Sequence, residues 1–402
     1  PHNLRHLFAR KFYSIDHDIA WKSLNKKKEE LCGDTVDIIK TEDSDILLLS
    51  DGMGSGVKAN ILSTLTTKIM GTMLKNGASI EECVTTIART LPVCQTRHVA
   101  YSTFSALQIY RDGRAVLLEY DNPGGILIRG GHHRDVPFSV REIEGKIIRE
   151  YQFNVCYGDY YVMMSDGVIH AGVGKKSGFG WPRTEVVRYV EDICASNVSS
   201  SRLMSMISNR CNMLYDGEPG DDTTVITIKV TRPKTVNIFT GPPVNKADDV
   251  RAMQDFMSKP GRKIVCGGTS SNIVSRYLNK PIKASLDYFD PDIPPTAEIE
   301  GMDLVTEGVL TLNRTVQMLA AYNEGKVDED FFNRLYGRDG AAKLGKILIE
   351  ECNHLNIFVG KAINETYQAA ALPFDLSIRQ RLVEQLVNEC KKMGKTVTVK
   401  YY

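Results

Sequence analysis

Four acidic clusters in this chain combine residue types and settings suited to divalent-cation chemistry. They are Gly33-Asp34, Ser50-Asp51-Gly52-Met53-Gly54-Ser55-Gly56, Ser165-Asp166-Gly167 and Gly220-Asp221-Asp222-Thr223-Thr224. Short apolar runs adjoin three of them. Ile46-Leu47-Leu48-Leu49 leads into Asp51, Tyr161-Val162-Met163-Met164 leads into Asp166, and Val225-Ile226-Thr227-Ile228 follows Asp222. Strands placed in this way deliver carboxylates to one place. Hard divalent cations take several oxygen ligands, and a Gly after the Asp lets a backbone carbonyl turn inward as well, with no need for His or Cys. One Asp-Gly after a strand is ordinarily just a turn. Two Ser-Asp-Gly copies after buried-type strands, a glycine-rich continuation and a paired Asp together are poorly explained as four independent turns. The pattern predicts a two-metal hydrolytic centre.

The elements that must position these residues are readable from periodicity. Strands over 35–40 and 45–50 flank the turn Thr41-Glu42-Asp43-Ser44, a hairpin that sets Asp34 and Asp51 near the same end. Ile61, Leu62, Leu65, Ile69, Met73 and Leu74 recur at helical spacing. Ser79 with Glu82 three residues later is a capping-box start for a second helix carrying Cys83, Val84, Ile87 and Leu91. Strands are predicted over 103–110, 115–120, 125–129, 146–155 and 161–165, then helices over 184–195 and 200–215 and a strand over 224–230. Sheets followed by helix pairs indicate an α+β sandwich with the metal site at one edge between the sheets. Gly54-Ser55-Gly56 before a helix could cradle an anion, but it lacks the Lys of a nucleotide-binding loop; we read these glycines as freeing backbone space beside the cations.

At these residues the chain resembles the metal-dependent Ser/Thr protein phosphatase (PPM) superfamily, in particular the bacterial branch typified by the sporulation stage II E phosphatase. That signature runs Gly-Asp, Asp-Gly-Met-Gly-x-Gly, Ser-Asp-Gly and Asp-Asp-x-Thr in this order, and the resemblance spans residues 1–232. It implies a PPM-type α-β-β-α sandwich and hydrolysis of phosphoserine or phosphothreonine on a protein substrate with two Mn²⁺ or Mg²⁺ ions. Carried over by position, Asp51 bridges the ions, the Gly52 carbonyl binds one, and Asp166 and Asp221 complete the other. Asp34 is either a ligand or an acceptor orienting metal-bound water. Asp222 is counted with the metal set as the neighbour of Asp221. The resemblance also implies helices after Asp-Gly-Met-Gly that move to complete the site, and a place in bacterial signalling.

The charges fit that chemistry. A phosphomonoester dianion resists water, and two cations that lower the pKa of a water and neutralise phosphoryl oxygens supply nucleophile and stabilisation together. A thiol mechanism would need Cys, five residues and Arg; none of the nine Cys has it, Cys94 with Arg97 and His98 coming nearest at the wrong spacing. Eukaryotic members hold phosphate with an Arg ahead of the first acidic motif. Here Lys22, Lys26, Lys27 and Lys28 stand there with no Arg, and the three adjacent Lys before Glu29-Glu30 read as a solvated turn.

Composition bounds the alternatives. With 402 residues there is room for two full cores, and a net charge of +1 leaves no basic excess for a nucleic-acid backbone, so nucleic acid is not an expected partner. Nine Cys without a Cys-x-x-Cys pair read as buried thiols of a reducing compartment, which implies a cytoplasmic location. No apolar run reaches membrane-helix length and the start lacks a signal-peptide core. The chain opens on Pro1, as a trimmed piece would, and Leu4 to Phe12 reads as a local docking segment. A homodimer is compatible with all of this. The alternatives to a protein phosphatase are a ligand-sensing scaffold with little turnover and a small-molecule phosphatase.

A change of pattern around Thr231-Arg232-Pro233-Lys234 divides the chain into a phosphatase domain, 1–232, and a second domain, 233–402. Beyond it strands over 235–240, 263–267, 303–306, 357–360 and 396–401 alternate with helices over 247–258, 272–278, 309–322, 341–353 and 376–393. That alternation predicts a separate α/β domain with a mainly parallel sheet. Its candidate site is Gly267, Gly268, Thr269, Ser270, Ser271 and Asn272, free amides and hydroxyls where a strand turns into a helix. A small anionic ligand is the expected occupant. Thr306-Glu307-Gly308 and Gly360-Lys361 fall at comparable strand ends.

Overall fold

Alternate residues of Ile46-Leu47-Leu48-Leu49 face opposite layers of the protein. Leu47 and Leu49 enter one apolar cluster and Ile46 and Leu48 another, so the strand is buried on both faces, as an unbroken apolar run requires. The computed structural model describes residues 14–90, 102–175, 178–362 and 374–402. The chain divides into two compact units, Pro1–Arg232 and Pro233–Tyr402.

In order, the first unit comprises β1 (Asp16–Leu24), β2 (Asp34–Lys40), β3 (Ser44–Gly52), α1 (Gly56–Lys75), α2 (Ile80–Thr90), β4 (Ser102–Tyr110), β5 (Arg114–Tyr120), β6 (Ile126–Arg129), β7 (His132–Arg134), β8 (Phe138–Ile143), β9 (Lys146–Asn154), β10 (Tyr160–Met164), α3 (Asp166–Ile169), α4 (Arg183–Cys194), α5 (Ser200–Leu214) and β11 (Thr223–Thr231). One antiparallel sheet runs β2-β3-β4-β5-β9-β8 and the other β1-β11-β10-β6-β7. Leu47, Leu107 and Leu117 of the first meet Leu127, Met163 and Ile228 of the second in the inter-sheet core. On the outer face of the first sheet, Ile46, Leu48 and Phe104 pack with Met70 and Leu74 of α1 and Cys83, Val84 and Ile87 of α2. Helix α5 lies on β1 and β11. This is the α-β-β-α sandwich expected of the first 232 residues.

The capping box at Ser79 forms as predicted. The Glu82 amide donates to Ser79 Oγ at 3.1 Å and Glu82 Oε2 accepts from the Ser79 amide at 3.0 Å. Strand β1 has no counterpart in the sequence reading, because Asp16, His17 and Asp18 disguise it. All three are buried, and their partners are remote in sequence: His17 Nδ1 is 2.7 Å from Asp45 Oδ2, and Arg111 forks onto both oxygens of Asp45 at 2.9 Å each. Leu4 to Phe12, Leu91, Cys94, Arg97 and His98 lie outside the described residues. Among the described residues no helix is long and apolar enough to cross a membrane.

The second unit contains β12 (Thr235–Thr240), α6 (Asp249–Ser258), β13 (Arg262–Cys266), α7 (Gly268–Leu278), β14 (Lys283–Ala284), β15 (Ala297–Glu298), β16 (Leu304–Thr306), α8 (Val309–Asn323), α9 (Glu329–Leu335), α10 (Gly340–Glu350), β17 (His354–Val359), α11 (Phe374–Lys392) and β18 (Thr396–Tyr401). Its sheet runs β14-β15-β16-β13-β12-β17-β18. β16, β13, β12, β17 and β18 are parallel to one another; β14 and β15 form an antiparallel edge. The mainly parallel sheet is thus present. Strand order reverses between β12 and β17, the point where open sheets of this kind form crevices. There the two strand ends approach closely: a Cβ on Gly360 would lie 2.1 Å from the carbonyl carbon of Pro242.

Candidate metal centre

Four elements of the first unit bring Asp34, Asp51, Asp166 and Asp221 to one edge. Asp34 and Asp51 are direct partners in the β2–β3 register. Ser165 follows β10 and turns the chain into α3, whose first residue is Asp166. Asp221 sits in the turn entering β11, which pairs antiparallel with β10. Two glycines permit this closeness. A Cβ on Gly52 would fall 1.9 Å from the Ala59 carbonyl oxygen, and one on Gly167 would fall 2.1 Å from the Asp222 carbonyl oxygen.

The carboxylates differ in what holds them. Asp34 Oδ2 accepts from Ser165 Oγ at 2.8 Å and from Thr224 Oγ1 at 2.7 Å, whereas its Oδ1 is buried without a partner. Ser165 Oγ in turn accepts the Thr224 amide at 2.9 Å, so the hydroxyls of two motifs aim the carboxylate of a third. Asp166 Oδ1 is likewise buried and unpartnered. Burial pushes the Asp51 carboxyl well above its usual range, and the charges of Asp34, Asp166 and Asp221 push it further. Burial also raises Asp34, opposed by the hydroxyls of Thr224 and Ser165 and reinforced by Asp222 and Asp166. Asp221 is raised by burial and then by Asp166. Carboxylates that share a desolvated site and lack donors need a proton or a cation. The oxygen-only donors and the orphaned Asp34 Oδ1 fit a hard divalent ion.

Asp222 is placed differently. Its Oδ1 accepts from the Lys26 amide at 2.9 Å and its Oδ2 from the Gly33 amide at 3.0 Å. Each oxygen is thus engaged by backbone of the 26–33 loop, while Asp221 turns toward Asp166. Of the lysines in that loop, Lys27 and Lys28 are exposed, as a solvated turn predicts, and Lys26 is half-buried. Lys27 pairs with Glu218 at 2.7 Å and Lys175 reaches the same carboxylate at 3.7 Å. At the start of α1, Glu29 supplies the anion: Ser55 Oγ donates to Glu29 Oε1 at 2.9 Å, and a Cβ on Gly56 would meet Glu29 Oε2 at 2.3 Å. A carboxylate there complements the helix dipole.

His170 escaped the sequence reading. Its Nδ1 lies 3.9 Å from Asp166 Oδ2 and 3.8 Å from Asp221 Oδ2. The signal available was Asp166 to His170 at an interval of four, one turn of helix, which reads as a surface pair when Asp221 is unseen. Cys32 lies close enough for Asp34 and Asp222 to act on it, but burial pushes its thiol far up, and Asp34 adds to that. A thiolate nucleophile is disfavoured there.

In the second unit, Ser270 is buried and its Oγ accepts the Gly241 amide at 2.8 Å, while Ser271 Oγ donates to the Gly267 carbonyl at 2.7 Å. Two of the three hydroxyls offered to an anionic ligand, those of Ser270 and Ser271, are therefore engaged by the protein's own backbone. Gly268 and Asn272 remain exposed and Gly267 and Thr269 half-buried. Glu307 Oε2 caps α8 by accepting from the Leu310 and Thr311 amides.

Comparison with known proteins points to the first unit. Residues 42–231 match the family Stage II sporulation protein E (SpoIIE). No curated protein matches the chain. Among solved structures, the PP2C phosphatase domain with a fragment of the regulatory domain of SpoIIE from Bacillus subtilis is 19% identical, over 54% of this chain and 64% of that one, with a TM-score of 0.46. The RsbU and RsbW domains of Rv1364c from Mycobacterium tuberculosis are 18% identical, over 55% of this chain and 63% of that one, with a TM-score of 0.44. RsbX in complex with magnesium is 17% identical, over 54% of this chain and 98% of that one, with a TM-score of 0.36. This chain thus spans less than two thirds of the first two.

Proposed function

We propose that the first unit, of which residues 42–231 match the SpoIIE family, hydrolyses phosphoserine or phosphothreonine on a protein substrate with two divalent cations, Mn²⁺ or Mg²⁺. The observation that carries this reading is the unpartnered, buried Oδ1 of Asp34 in a group with Asp51, Asp166 and Asp221. Asp51, Asp166, Asp221 and the Gly52 carbonyl would hold the ions, with Asp34 as a further ligand or as acceptor for a bound water. Bound there, the cations would supply an activated water and neutralise phosphoryl charge.

The chain's own residues prepare that chemistry. Ser165 and Thr224 fix one oxygen of Asp34 and leave the other directed by default. Asp222 pins Lys26 and Gly33, which sets the 26–33 loop at the edge of the site and brings the Lys26 charge near enough to favour ionised Asp221. Asp222 is therefore a positioning residue in this reading.

The test uses the full chain, stripped by chelation and reloaded. Hydrolysis of a generic phosphomonoester and of phosphoserine and phosphothreonine peptides should appear with Mn²⁺ or Mg²⁺, vanish with chelator and survive thiol alkylation. Chelator-resistant activity lost on alkylation would contradict the mechanism, and absence of turnover with either metal on every substrate would favour a sensing role.

A further inference from the structure

Outside the all-oxygen set read from sequence, one nitrogen faces the same carboxylates. Asp166 divides its two oxygens: Oδ1 is buried without a partner, and Oδ2 lies 3.9 Å from His170 Nδ1. Asp221 Oδ2 lies 3.8 Å from the same nitrogen, and the ligand atoms of Asp166, His170 and Asp221 all fall within 4.8 Å of one another. These separations are too long for hydrogen bonds. Two donors on one ion, with bonds of about 2.1 Å, can stand up to ~4.2 Å apart, so a slight contraction places all three on a single cation. The His170 side chain is half exposed, and the inward side of the group holds Asp34, 4% exposed, whose Oδ1 has no partner.

We infer that His170 is a nitrogen ligand of the outer cation, shared with Asp166 and Asp221, and that it biases this position toward Mn²⁺ over Mg²⁺. The chemistry is that of donor type: Mg²⁺ favours oxygen and water, whereas an imidazole suits first-row transition ions. The inner part of the group, with Asp34 and Asp51, offers carboxylates alone. One protein would then hold two positions of different preference. This rests on the metal-dependent reading above, but its test is independent of turnover.

The experiment is pulsed electron paramagnetic resonance on Mn²⁺ bound to the full chain, free of any histidine tag, alongside calorimetric Mn²⁺ and Mg²⁺ titrations. His170→Asp and His170→Ala are the variants; the site is at the surface, and circular dichroism checks their fold. Nitrogen coupling to Mn²⁺ is expected in the natural chain and absent in both variants. The ratio of Mn²⁺ to Mg²⁺ affinity should fall about tenfold or more in His170→Asp. Bound Mn²⁺ without nitrogen coupling, or coupling that persists in both variants, overturns the assignment of His170 and leaves the phosphatase reading standing. Loss of coupling with an unchanged affinity ratio overturns the selectivity. Failure of the natural chain to bind either ion overturns the metal-dependent reading itself.

Discussion

Asp34 and Asp51 stand directly opposite each other on adjacent antiparallel strands, and Oδ1 of Asp34 is buried with no hydrogen-bond partner. Like charges in cross-strand register are unfavourable, and burial raises the cost. Without a cation, one member of this pair is better neutral. Asp51→Asn should therefore make the chelated protein more stable by about 1–3 kcal/mol while reducing metal-dependent turnover at least ~100-fold. Thermal melts in chelator and assays at saturating Mn²⁺ check the two effects. A less stable variant in chelator would show that Asp51 makes a favourable contact of its own.

The same group fixes a pH dependence with a definite sign. The folded pKa values of Asp34 and Asp51 are raised, to about 7 and about 9, above an unfolded value near ~4. The native state thus binds more protons than the unfolded one, and stability falls as pH rises. In chelator, melting temperature should drop progressively between pH 5 and 9 by more than in Asp51→Asn, because that variant lacks the titrating pair. Mn²⁺ should restore the loss most at the alkaline end. A melting temperature that climbs with pH in chelator would be the wrong sign.

Asp221 and Asp222 are adjacent yet should fail in different ways. Asp222→Ala leaves the Lys26 and Gly33 amides without their acceptor, at about 1–3 kcal/mol for the buried Gly33 donor and less for the half-buried Lys26. Amide exchange at Lys26 and Gly33 should accelerate and the protein should melt earlier with or without metal. Asp221→Ala should spare those amides and weaken cation binding in titrations. If Asp222→Ala leaves amide exchange unchanged and abolishes cation binding alone, its carboxylate is a ligand instead.

In the second unit, Ser270 Oγ of the glycine-rich turn accepts from the Gly241 amide. Ser270→Ala should cost about 1–3 kcal/mol by orphaning a buried amide. The loss should appear in denaturant unfolding of the second unit, with metal-dependent turnover of a generic phosphoester unchanged. Unaltered stability would mean that the Gly241 amide finds another acceptor.

What the sequence determined by itself was local. Apolar runs, the Ser79 to Glu82 capping box and the Asp-Gly turns are each written within a few residues, and periodicity alone located most strands and helices of both units, including the parallel ones. Three of the four acidic clusters were legible for the same reason: each adjoins an apolar run, and strand ends have few places to go. Tertiary structure decided what those residues face. Asp221 and Asp222 are neighbours of one type, and only the arrival of the Lys26 and Gly33 amides on Asp222 separates their roles. Glu29 at the start of α1 and His170 beside Asp166 and Asp221 depend on contacts between chain segments far apart in sequence. Strand β1 was hidden because its Asp and His residues are soluble types by composition, and their burial is met by Asp45 of β3 and by Arg111 of the β4–β5 turn. Short-range sterics and hydrophobic pattern act along the chain and can be read from it. Electrostatic partnership acts through space, and is settled only when the sheets close.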